Sequence, residues 1–241
     1  MLIDAKNVVK AFGAFKAVDD ASVSVEEGDI VGLIGPNGAG KSTFFNCLTG
    51  DLPVTSGSVI FNGTDVTRLP PEARAALGLA RTFQVPLTFE SMSVLDNATI
   101  GALLRHHNAR DARGRARDVL QRVGLGHVID APARSLGTPG RKRLEIARAL
   151  ASEPKVLLLD EAMAGLTPTE IQDAIALVRR IHDEDGITIV VVEHIMEVIV
   201  SLTRRVVVFH QGREIARGTP REVTSNPAVI EAYLGRRKVR H

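Results

Sequence analysis

The chain holds a single cysteine in 241 residues, so an internal disulfide is excluded. Cys47 reads as a small apolar packer in a protein of a reducing compartment. Neither sign of charge is in excess: 30 Lys and Arg face 28 Asp and Glu, and a net +2 offers nucleic acid no bulk attraction. No uninterrupted apolar run approaches the roughly 20 residues that cross a bilayer. The nearest candidate, ITIVVVEHIMEVIVSL (187–202), is interrupted by Glu193, His194 and Glu197. The opening MLIDAKNVVKAF lacks the basic-then-apolar pattern of a signal peptide. Seven histidines form no Cys/His cluster and no H-E-x-x-H, which argues against a structural metal.

What remains is an ordinary globular composition, 44% hydrophobic and 24% charged, in a chain long enough for a sizeable core. LIDAKNVV, ASVSVEEGD and GSVIFNGTDV read as short strands with turns, and Asn62-Gly63 favours a type I′ hairpin. Between about Pro86 and Pro154 helical spacing takes over, carried by 94–106 and 112–123. KVLLLD (155–160) and ITIVVV (187–192) then return as near-continuous apolar runs, the pattern of strands buried on both faces of a parallel sheet. TPTEIQDAIALVRRIHDEDG (167–186) is an amphipathic crossover helix opened by Thr167-Pro168 and closed by Gly186. RVVVFHQGREIARG (205–218) reads as a closing hairpin. The Arg-rich stretch 105–122 reads as a solvated helical face, and the tail RRKVRH (236–241) as a frayed end. An α/β fold interrupted by an inserted helical lobe is expected.

DIVGLIG (29–35) runs into GPNGAGKST, which fits G-x-x-x-x-G-K-[ST] between a strand and a helix. Gly35, Pro36, Asn37, Gly38, Ala39 and Gly40 turn backbone N–H groups toward phosphates. Lys41 reaches the β- and γ-phosphates, Ser42 offers a hydroxyl to Mg²⁺, and Thr43 offers one to the α-phosphate. VLLLDE (156–161) ends a buried strand in two carboxylates. Asp160 is expected to hold Mg²⁺ through water and Glu161 to orient the attacking water. Taken alone, such a strand end is common before a solvated turn; downstream of a phosphate loop it points to hydrolysis of ATP.

The order of phosphate loop, RTFQ (81–84), helical lobe, RLEIARAL, VLLLDE and VVVEH (190–194) resembles the ATP-binding-cassette (ABC) transporter ATPases over Met1 to Gly235. NCLTG (46–50), LARTFQ (79–84), AGLTP (164–168), HQGREIARGTP (210–220) and NPAVIEAYLG (226–235) are similar to the ATPase subunits of branched-chain amino-acid importers. The resemblance implies the ABC ATPase fold. That is a RecA-like P-loop core over 1–85 and 155–241, with an N-terminal antiparallel β portion and a helical subdomain at 86–154. It also implies that Phe12 stacks on adenine, Gln84 senses Mg²⁺ and the membrane partner, and His194 contacts the γ-phosphate. The implied partners are transmembrane permease subunits and a second ATPase, with no nucleic acid. The implied location is peripheral, at the cytoplasmic face of the membrane. A groove near VPLTFESMSVLDN (85–97), with Phe89, Met92 and Leu95 exposed, is the expected docking site; the alternative for each of the three is a place in the core of the helical lobe. The alternatives are, within the same class, the ATPase of a lipid or polysaccharide exporter, and, beyond it, a non-transport ATPase of this type or a regulatory nucleotide binder.

SLGTPGRKRLEIARAL (135–150) departs from the family. In such ATPases each nucleotide on one subunit is capped by the other's signature loop, usually Leu-Ser-Gly-Gly-Gln, which falls here on Leu136 to Gly140. Gly137 stands for the serine, Thr138 and Pro139 for the glycines, and Gly140 for the glutamine, so the donors are partly lost while the anion-attracting helix start remains. Thr138 before Pro139 is expected to cap the helix. Gly137 and Arg141, with Lys142 and Arg143 behind, are expected to meet a partner's phosphate less well than usual. Ala162 replaces a proline and Thr167 an aspartate of the pattern. Unequal composite sites in a heterodimer follow as the expectation.

Overall fold

The structure, a computed structural model, describes residues 1–234. Gly235 and the tail 236–241, for which a frayed end is expected, lie outside the described residues. The chain opens with β1 (Ile3–Phe12), β2 (Phe15–Val25), β3 (Ile30–Ile34), α1 (Lys41–Thr49), β4 (Ser56–Phe61), β5 (Thr64–Asp65) and α2 (Pro71–Leu77). It continues with β6 (Leu79–Arg81), α3 (Val94–Ala102), α4 (Ala109–Arg122), α5 (Thr138–Ala151), β7 (Val156–Asp160) and α6 (Pro168–Asp185). It closes with β8 (Thr188–Val192), α7 (Met196–Leu202), β9 (Arg205–His210), β10 (Arg213–Gly218), α8 (Pro220–Ser225) and α9 (Pro227–Leu234). Packing separates two compact units, one joining Met1–Arg74 to the chain from Thr188 onward, the other Ala75–Ile187.

In the first unit β2, β1, β4 and β5 form an antiparallel sheet in that order. Asn62 and Gly63 take φ of 48° and 77°, the two positive values a type I′ turn requires, and the expected hairpin closes there. β3 lies between β8 and β9 and runs parallel to both, while β10 folds back antiparallel on β9. Every residue of β3 and β8 is buried, as their unbroken apolar runs predict. Behind the sheet Ile34, Ile199, Val206, Val208, Val223 and Val229 cluster, so the C-terminal helices brace the strand that feeds the phosphate loop. Arg74 is buried at the far end of α1, where its guanidinium donates to the carbonyls of Cys47 and Leu48 at 2.7 Å each. A cation at a helix C-terminus satisfies carbonyls that have no intrahelical partner.

In the second unit β6 and β7 pair in parallel, and α3 packs on α4 and α5. The helices differ from the expected spans at their ends. α3 stops at Ala102, and α4 begins at Ala109 because the Asn108 side chain accepts the Arg110 N–H as its cap. α6 matches its expected limits: Thr167 and Glu170 make a reciprocal capping box, and Gly186 closes the helix with φ 65°.

Candidate nucleotide site

The phosphate loop leaves β3 at Gly35 and enters α1 at Lys41. Two of its glycines are required by the backbone. A Cβ on Gly35 (φ 153°) would lie 2.2 Å from the Phe209 carbonyl oxygen, and one on Gly40 (φ 97°) would lie 2.3 Å from that of Ala17. The Ala39 N–H turns back to the Pro36 carbonyl at 3.1 Å, while Ala39's own carbonyl accepts from Gly212 at 2.9 Å. Lys41 is buried and folds over the loop, donating to the carbonyls of Gly35 (2.7 Å) and Pro36 (3.1 Å). Asn37, Gly38 and Ser42 are exposed, with Pro36, Gly40 and Thr43 half-buried. This donor-rich turn at the start of a nine-residue helix fits a polyphosphate.

In the same unit Phe12 ends β1 opposite Phe15, with its ring half-exposed and the Lys10 ammonium 5.0 Å from the ring centroid. His194 is exposed and sits two residues beyond the last residue of β8, rather than at the strand's end.

The second unit carries the carboxylates. Asp160 is the last residue of β7 and is buried; Glu161 follows it in the left-handed region, at φ 47°. That conformation is uncommon for a side chain of this size, and such strain is characteristic of working sites. Gln84 Nε2 donates to Glu161 Oε2 at 2.8 Å. Gln84 lies three residues past Arg81, where β6 ends, so it belongs to a loop and not to a strand end. Among the described residues no group of three or more His, Cys, Asp or Glu could hold a metal by itself. A single carboxylate such as Asp160 suits a Mg²⁺ that keeps most of its waters and arrives on phosphate oxygens.

The start of α5 differs from expectation. Gly137, not Thr138, occupies the N-cap position, and no side chain caps the helix. With Thr138 already helical and Pro139 next, the cap falls one residue earlier, on a glycine that has no side-chain oxygen to offer. The three cations have local partners. Arg141 donates to the carbonyls of Leu136 (3.0 Å) and Arg134 (3.2 Å) and pairs with Glu90 at 3.0 Å. Lys142 is buried and donates to the Glu161 carbonyl at 3.1 Å, and Arg143 stands 3.7 Å from Asp173.

The expected docking groove is displaced. Leu95 is 1% exposed, because α3 begins at Val94 and turns Leu95 inward with Ala98 and Ala102. Met92 is half-buried, whereas Val85, Leu87 and Phe89 are exposed. Phe83, Leu87, Thr88, Phe89, Ile100 and Arg148 line a groove of ≈ 530 Å³. Its floor is organised by α5. Glu145 accepts from the backbone of Phe83 (3.1 Å) and Leu87 (3.4 Å), and Arg148 donates to the Leu87 carbonyl at 2.5 Å. Burial raises the Glu145 carboxyl above its ordinary range against the pull of those N–H groups.

Residues 18–164 match the ABC transporter family. The chain belongs to that family. As an ABC ATP-binding cassette it is an ATPase that works in transport. Residues 213–239 also match the family described as branched-chain amino acid ATP-binding cassette transporter. The cassette is 36% identical to the high-affinity branched-chain amino acid transport ATP-binding protein BraF of Pseudomonas aeruginosa, over 97% of this chain and 98% of that one. It is equally 36% identical to the lipopolysaccharide export system ATP-binding protein LptB of Escherichia coli, over 97% of each. The crystal structure of a nucleotide-free ATP-binding cassette from an ABC transporter superposes with a TM-score of 0.89 at 33% identity, over 98% of this chain and 99% of that one. The expected fold is thereby established. Arg81 lies inside a motif and Lys142 inside a run of cations, and neither position by itself signals the residue each one serves at the end of β7.

Proposed function

We propose that this cassette is the ATP-hydrolysing subunit of a bacterial importer for branched-chain or related amino acids, bound peripherally at the cytoplasmic face of the membrane. Residues 1–241 act as one ABC ATPase domain, with 1–85 and 155–241 as its core and 86–154 as a helical subdomain. The backbone of Gly35 to Gly40 cradles the phosphates, Lys41 neutralises the β- and γ-oxygens, Thr43 meets the α-phosphate, and Phe12 stacks on adenine. Mg²⁺, when bound, neutralises charge that builds on the transferring phosphoryl group. Ser42 offers it a hydroxyl, Asp160 a carboxylate through water, and Gln84 a sensing contact. Glu161 orients the attacking water and His194 meets the γ-phosphate. The observation that carries the hydrolytic part of this reading is the 2.8 Å bond from Gln84 to Glu161, a carboxylate held in left-handed backbone.

Gly137 and Arg141 cap a nucleotide held by a second, different ATPase subunit, and less tightly than an intact signature would, because Arg141 is turned onto its own loop. The groove lined by Leu87 and Phe89 receives a short helix of a permease subunit. Among the described residues no helix is long and apolar enough to cross a membrane. Identity alone favours importer and exporter equally; the match of residues 213–239 favours the importer.

The test is reconstitution with the permease subunits and binding protein encoded beside it. ATP-dependent uptake of labelled leucine or valine is expected. Hydrolysis stimulated by an acylated saccharide, and not by solute-loaded binding protein, would support the exporter reading instead.

A further inference from the structure

Arg81 and Asp160 form an ion pair at 3.2 Å, with their side chains only 10% and 5% exposed. The pairing of β6 with β7 builds it. Arg81 lies opposite Leu158, the Thr82 N–H donates to the Leu158 carbonyl at 2.8 Å, and the Asp160 N–H donates to Thr82 Oγ1 at 3.2 Å. Both charged groups are thus delivered to one point by strand register. Breaking a buried pair by removing one member leaves the other charge uncompensated. Arg81 has further contacts that do not involve Asp160. Its Nε donates to the Thr82 carbonyl at 3.1 Å, and its guanidinium lies 4.4 Å from the centroid of the Phe83 ring. A stacked, backbone-bonded guanidinium stays seated when the carboxylate turns to another cation.

We propose that Arg81 is the resident counter-ion of Asp160 and sets the Mg²⁺ requirement of the cassette. The inference rests on the reading of Asp160 as the metal-facing carboxylate. A divalent ion that recruits Asp160 competes with a cation already bonded to its Oδ2, so loading needs more metal than a bare carboxylate would. Phe83, the ring that keeps the guanidinium, also lines the groove, so a groove occupant touches the residue that positions Arg81. Arg81 is a positioning residue acting through Asp160.

The experiment titrates Mg²⁺ from EDTA into the full chain with a methylanthraniloyl-ATP probe and reads the metal midpoint of binding. Arg81→Gln and Arg81→Met are expected to lower the midpoint roughly tenfold, with probe affinity in EDTA unchanged. Arg81→Lys, which keeps the charge, stays near wild type. If the apolar variant does not fold, Arg81→Gln decides. A midpoint for Arg81→Gln within twofold of wild type overturns the proposal, as does a shift matched by an equal change in metal-free affinity, which marks a structural role. Asp160→Asn separates the two readings. A raised midpoint in that variant with none lowered in Arg81→Gln removes only the counter-ion. An unchanged midpoint in Asp160→Asn removes the metal-facing carboxylate itself.

Discussion

Gln84 Nε2 and Glu161 Oε2 meet at 2.8 Å, so an exposed amide on a loop holds the carboxylate that follows directly on β7. The bond leaves Glu161 an acceptor, as a residue that orients water must be. It explains why a glutamate in left-handed backbone keeps one direction. Glu161→Gln should lower steady-state ATP hydrolysis about 10²–10³-fold while ATP still binds, and Gln84→Ala about tenfold. Phosphate release and equilibrium ATP binding, measured on the same preparations, check this; wild-type turnover in Glu161→Gln would refute the assignment.

Lys142 holds the other side of the same residue through the Glu161 carbonyl at 3.1 Å. Left-handed backbone at a non-glycine costs on the order of 1–2 kcal/mol, which this buried ammonium helps to offset. Lys142→Met should cut kcat about tenfold with KM for ATP within twofold, because what it loses is orientation and not binding. Lys142→Arg should recover part of the loss. Equal loss in KM would assign Lys142 to nucleotide binding.

Phe89 and Leu95 lie six positions apart and in opposite environments, 49% and 1% exposed. Phe89→Asp should change stability by less than about 0.5 kcal/mol and leave basal ATP hydrolysis intact, while stimulation by the permease is lost. Leu95→Asp buries a charge in the α3 core and should cost more than about 3 kcal/mol. Denaturant unfolding of both variants, followed by permease-stimulated hydrolysis of Phe89→Asp, separates groove from core.

Cys47 gives a signature in base. Burial pushes its thiol from 9.0 up to about 11. The unfolded chain therefore releases this proton first as pH rises, and the folded state loses stability between pH 9 and about 11. The loss should approach about 2–3 kcal/mol, at roughly 1.4 kcal/mol for each tenfold difference in proton affinity between the folded and unfolded chain. Wild type and Cys47→Ala, compared by urea unfolding across this range, should diverge by that amount. Parallel curves would mean the thiol ionises alike in both states.

The strands, the phosphate loop and α6 were legible because each is encoded locally. Unbroken apolar runs mark buried strands, glycine permits the turns at Gly35 and Gly40, and Thr167 with Glu170 writes its own cap. The errors fell where a neighbour decided. The α5 cap lies at Gly137 because Thr138 is already helical, and the groove lies off Leu95 because α3 turns that residue into the core.

The sequence by itself determined that this protein is an ATP-binding cassette and where its phosphate loop lies, since a backbone cradle and a lysine need only spacing along one stretch of chain. Only the tertiary structure decided whom the other charges serve. Arg81 and Asp160 are 79 positions apart, and Lys142 and Glu161 are 19 apart. Strand register and helix packing, which no local pattern encodes, bring each cation to its partner in surroundings dry enough for the pairing to count.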